Sequence, residues 1–204
     1  MEIEDIPIRD NHVHVWKEIP LDETVAFHKS IMKRFNYTSI TLLGLNEQGN
    51  VPPTTSIMDN LKILYMKKLI PNKIYGYAGL HLKKGIQKCN ASDLLGQAEM
   101  YRDAGFDGIK LFFSGEMYEL GFPLISYRVF EPFFQFMEEK EFPIIMHLGG
   151  PEICWRELSE IPESQRMWHV TSCYSHPFDY FRDFLTMIEY VGRILHPAAE
   201  AFYS

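Results

Sequence analysis

Three histidines and one lysine stand where their chemistry would matter: His12, His14, His147 and Lys110. His12-Val13-His14 lies in a short β-rich run, and strand alternation puts both imidazoles on one face with Val13 on the other. Two neutral imidazoles ~6–7 Å apart along one strand face can reach a single metal ion. The same pattern suits a pair of surface or strand-capping histidines. His147 closes an apolar run (Phe142, Pro143, Ile144, Ile145, Met146) and is followed by Leu148-Gly149-Gly150. Alone it reads as a satisfied core histidine. If its strand ends at the same mouth as His12 and His14, three histidines from two strands leave coordination positions open for water.

The elements that must position these residues follow a repeating pattern. Strands are expected at 10–16, 38–43, 73–80, 108–113 and 143–147, with a sixth opening at 193–196. Between them the spacing of apolar residues predicts helices at 22–35, 56–69, 91–104 and 127–140, and another starting near Pro177. Asp22 is the expected cap of the first helix and Gly105 the stop of the third. Ile57, Leu61, Leu64 and Tyr65 fall at helical spacing in the second. Strands alternating with helices imply a parallel sheet of βα units. A doubly wound open sheet usually announces a nucleotide with a glycine-rich first turn, but HVWKEIP after the first strand has no such motif. The polar residues sit instead at the C-terminal ends of strands, where barrel active sites lie. The expectation is a TIM-type (β/α)8 barrel, incomplete, with five to six βα units in a single domain spanning 1–204.

DNHVHVW on the first strand, GFDGIKLF on the fourth and FPIIMHLGG on the fifth resemble the amidohydrolase-related barrel family. The resemblance implies metal-dependent hydrolysis, with HxH on strand 1, histidines ending strands 5 and 6, and an aspartate ending strand 8. It makes His12, His14 and His147 metal ligands and the ion a divalent one, zinc by preference. His196 falls at the strand-6 position, as a second ligand or a substrate-holding residue; a loop histidine before Pro197 is the rival reading. Lys110 matches the strand-4 lysine that is carbamylated and bridges two metals in some members. In others it contacts an anionic substrate or simply lines the lumen, and an unmodified lining lysine is the reading preferred here. The chain stops eight residues after His196, so the last two βα units and their aspartate are missing, and the expectation is a truncated barrel that is a poor catalyst.

Other residues are given lesser parts. Asp107 is read as a turn residue and His28 as a surface residue. His81 follows the third strand. Glu152, Trp155, Arg156 and His169 lie in a long 148–175 connection that suits a lid.

Composition narrows the classes. The net charge of -7 argues against nucleic acid as a partner. Cys89, Cys154 and Cys173 are odd in number and widely spaced, which suggests reduced thiols in the cytoplasm rather than a disulfide framework. No apolar run reaches membrane-spanning length. A small-molecule substrate is expected, and a homo-oligomer is allowed. The reaction would be hydrolysis of a small amide, ester or lactone by a metal-activated water, or decarboxylation of a small carboxylic acid. The alternatives are a PHP-type phosphoesterase, which also opens with HxH, and a non-catalytic barrel that binds metal and turns nothing over.

Overall fold

The computed structural model describes residues 6–15, 19–44, 47–48, 54–82, 91–112, 130–147, 157–163, 182 and 185–186. The elements are β1 (Ile8–His14), α1 (Leu21–Arg34), β2 (Tyr37–Leu43), β3 (Glu47–Gln48), α2 (Thr54–Leu69), β4 (Ile74–Gly79), β5 (His81–Leu82), α3 (Ala91–Asp103), β6 (Gly108–Phe112), α4 (Glu131–Glu139) and β7 (Ile144–His147). A short 3-10 turn follows at Leu158–Glu160. The expected sixth strand with His196, and most of the long connection, lie outside the described residues. Among those described, no helix is long and apolar enough to cross a membrane.

Five strands form one sheet in the order β1-β2-β4-β6-β7, every pair parallel. That is the order of the sequence itself. A doubly wound sheet would reverse direction at a switch point, whereas successive right-handed crossovers that never reverse curl the sheet toward a barrel. The result is a curled half-barrel of α/β units, an incomplete TIM-type barrel.

Alternation sorts the strand residues onto two faces. Val13, Ile40, Leu42, Ile74, Ala78, Ile109, Leu111, Ile144 and Met146 pack in or against the apolar core beneath the helices, with Ile63, Met66, Leu94, Ala98 and the α4 residues Phe133, Phe134 and Met137. Intervening residues, among them His14, Leu43, Tyr77, Gly79, Lys110 and Ile145, therefore face the concave, lumen side. α3 stops where Gly105 takes a φ of 96°, a backbone state open to glycine at little cost.

Two expectations need correction, while the second helix forms as read. α1 has Pro20, not Asp22, at its N-cap position; Asp22 sits in the first turn, where a carboxylate complements the helix dipole. His28 is buried, not on the surface, because α1 turns Thr24, Val25, His28 and Met32 inward, and its Nδ1 donates to the Thr24 carbonyl at 2.7 Å. In α2, Leu61 and Tyr65 are exposed, while Asn60, Ile63 and Met66 are buried. That helix is apolar on two sides, so periodicity could not choose the face.

Candidate functional site

β1 carries the histidine pair on an irregular edge. Its pairing with β2 runs Asp10↔Ile40 and then Val13↔Leu42, so one extra residue is accommodated between them. Such a bulge twists a strand and re-aims its side chains. Near it, the Asp10 carboxylate accepts from the His12 N–H at 3.1 Å, and the Thr41 hydroxyl donates to the Asn11 side chain at 3.4 Å. Beyond the bulge, the two imidazoles meet edge to face, with centroids 5.1 Å apart and Nε2 atoms 3.2 Å apart.

The tautomers follow from the partners. His14 Nδ1 lies 3.3 Å from the Leu43 carbonyl, which can only accept, so Nδ1 carries the proton. A neutral imidazole has one N–H, so His14 Nε2 presents a bare lone pair toward His12. Burial, then the charges of His12 and Lys110, hold the His14 pKa below its ordinary value, against the opposing pull of the Leu43 bond. Each lowering cause keeps the ring in its neutral, ligand-competent form. Unmetallated, His12 must donate Nε2–H across the gap. Deprotonated there as well, the two lone pairs would repel unless a cation lay between them. Two ligands at ~2.0–2.1 Å from one tetrahedral ion stand about 3.3–3.4 Å apart, close to the observed separation. A backbone carbonyl on the far ring nitrogen is the usual support for a metal-binding histidine. The pair fits a metal ion on these grounds.

Lys110 enters from β6, separated from β1 by two strands. It is paired in register with Gly79 on one side and Ile145 on the other, so neither flanking residue offers it a polar side chain. It is 1% exposed, its Nζ has no hydrogen-bond partner among the described residues, and desolvation pushes its pKa down to about 8. Its charge is nonetheless felt at His14, which reflects the curl of the sheet. His147 ends β7 opposite Phe112. Its backbone thus belongs to the same sheet, but its side chain lies outside the described residues. So does all of His196. Among the described residues no group of three or more His, Cys, Asp or Glu is placed to hold a metal.

Two helix amides missing from the sequence reading shape the mouth. Asn60 on α2 accepts from the Gly79 N–H at 3.0 Å and donates to the Gly79 carbonyl at 2.9 Å. Gln97 on α3 does the same to His81, at 2.8 and 2.9 Å. The β2–β4 ladder ends at Leu43↔Tyr77, and a two-residue parallel ribbon of β3 with β5 resumes beyond. Asn60 satisfies Gly79 in the gap between these ladders. Gly44 must lack a side chain there, since a Cβ would stand 2.4 Å from Asn60 Oδ1 and 2.5 Å from Gly79 N. The available signal was an asparagine inside a helix, a place that disfavours it unless its amide is used.

The opposite, N-terminal end of the sheet is structural. Asp107 accepts from Lys67 at 2.5 Å and from the Gly76 N–H at 2.7 Å, more than the turn role read for it. Tyr77 covers Gly108, where a Cβ would lie 2.4 Å from the ring. Burial, then the Asp107 charge, pushes its pKa up to about 12, so the phenol stays protonated.

No protein-family model matches the chain, and no curated protein matches it. Among solved structures it resembles 4-oxalomesaconate hydratase, LigJ, from Rhodopseudomonas palustris, with a TM-score of 0.54 and 18% identity. The match covers 72% of this chain and 54% of that one, so the chain spans about half the length of the enzyme it resembles. At this identity the likeness speaks for the fold.

Proposed function

We propose that this chain carries the metal-binding half of a metal-dependent hydrolase or lyase of the amidohydrolase type, acting on a small molecule in the cytoplasm. The observation that carries the proposal is the His12–His14 pair, whose Nε2 atoms converge at 3.2 Å with His14 locked by Leu43. His147 is the third proposed ligand, because β7 ends beside β6 at the same mouth. A zinc-class ion held there would supply acidified water and a polarised carbonyl or carboxyl group. The remaining work falls to the chain. His14 stays neutral and fixed through its Nδ1–H. Lys110, when protonated, is a buried cation without a partner among the described residues, suited to an anionic group of the substrate. His196 is proposed to hold substrate or to serve as a further ligand.

Two reaction directions remain within this reading. Hydrolysis of a small amide, ester or lactone follows from the site. Addition or loss of water or carbon dioxide on a small carboxylic acid is favoured by the structural likeness to a hydratase and by the free cation of Lys110. The test is metal content of purified, dialysed protein by mass spectrometry, for the wild type and for His12→Ala and His14→Ala. It is followed by a panel of lactones, esters, amides and unsaturated carboxylic acids. Metal bound by the wild type and lost in both variants is expected. Uptake that is absent, or indifferent to both substitutions, would overturn the reading.

A further inference from the structure

The ζ-amine of Lys110 finds no hydrogen-bond partner among the described residues. It is almost fully buried, on the concave face of the sheet, and its Nζ contacts no acceptor. Its in-register neighbours are Gly79, which has no side chain, and Ile145, which is apolar. Without a carboxylate or carbonyl partner beside it, the buried lysine gives up its proton more readily, so a part of it is neutral near neutral pH. A neutral amine on a four-carbon stem is a nucleophile toward carbonyl carbon.

We propose that Lys110 is an imine-forming lysine that captures a small, uncharged aldehyde or ketone in the concave face of the sheet. The amine nitrogen attacks the carbonyl carbon and a C–N bond forms. The carbonyl oxygen then leaves as water with the two amine protons, and the former carbonyl carbon is left doubly bonded to the lysine nitrogen. No oxidant or reductant is consumed. An uncharged carbonyl is specified because the in-register neighbours of Lys110, Gly79 and Ile145, place no second cation beside it. Once Lys110 is bound to the carbonyl carbon, neither in-register neighbour supplies a cation for a carboxylate. The lowered pKa of about 8 agrees with this chemistry, since near neutral pH it leaves a neutral amine fraction about 10²-fold larger than that of an ordinary lysine. The inference does not depend on the metal reading.

The experiment treats the full chain with propanal and, separately, with pyruvate, each with cyanoborohydride to fix any imine, before and after stripping with a chelator. Peptide mass spectrometry then locates the adducts. The expected result is one propyl group on Lys110, acquired at least about tenfold faster than on exposed lysines such as Lys29 and Lys73, with pyruvate clearly slower. Lys110→Met and Lys110→Arg should both lose this fast adduct and keep the slow ones. If Lys110→Met fails to fold, the arginine variant decides, with its fold checked by circular dichroism. Labelling of Lys110 no faster than the surface lysines, or an unchanged fast phase in Lys110→Arg, would overturn the proposal. So would faster capture of pyruvate, which requires a cation the proposal excludes. Loss of metal binding with the fast adduct retained would count against the metal site alone.

Discussion

Replacing Lys110 by methionine should make the protein more stable at neutral pH, an unusual outcome for a buried core position. Methionine has nearly the same length and no charge to desolvate. Desolvation lowers the lysine pKa from 10.5 in the ordinary case to about 8 in the fold. Between those values the unfolded chain holds a proton that the folded chain has released, so wild-type stability rises with pH across that interval. Below it both states are protonated, and the folded state carries the full penalty, roughly 3 kcal/mol at 1.36 kcal/mol per pH unit. Above it both are neutral and the penalty is gone. Lys110→Met should therefore gain roughly 2–3 kcal/mol at pH 7, about 5–10 °C in Tm for a chain of this size. The gain should shrink steadily from pH 8 to pH 10. Urea melts of both proteins at pH 7, 8.5 and 10 measure it, and the difference between the proteins cancels the titrating groups that do not feel the Lys110 charge. A methionine variant less stable at pH 7, or a difference flat with pH, would show that Lys110 has a partner in solution and that its burial carries no such cost.

Asn60→Ala should cost about 2–5 kcal/mol in urea melts, because the buried N–H and carbonyl of Gly79 both lose their partner. Gly44→Ala should cost about 1–3 kcal/mol, since the new methyl meets Gly79 N at 2.5 Å as well as Asn60. An effect under half a kcal/mol in either variant would mean that the strand ends are not held as described. In titration calorimetry with zinc, His14→Ala should lose at least about 10²-fold in affinity, beyond the loss typical of a supporting residue. His14→Gln, which lacks the Nδ1–H and the aromatic lone pair, should not restore it.

The chain alone determined the alternation of strands and helices, because period-2 and period-3.6 patterns are local properties of five successive units. It also determined that His12 and His14 share a strand and that His147 ends another, whereas Lys110, read as a strand end, lies in the middle of β6. The strand order β1-β2-β4-β6-β7, which separates a barrel from a doubly wound sheet, follows only from how crossovers stack. Likewise tertiary was the face chosen by α2, where Leu61 and Tyr65 were left exposed so that the Asn60 amide could reach Gly79. The sequence spacing of His12 and His14 permits a shared ion. The bulge between Asp10 and Val13 and the Leu43 carbonyl, 29 residues away in sequence, go with the observed approach of the rings and fix the tautomer of His14. Lys110 reads the same in any β-strand. Its burial between a glycine and an isoleucine, with no partner among the described residues, exists only in the assembled sheet. Burial and distant partners depend on the whole chain at once, and no local pattern encodes them.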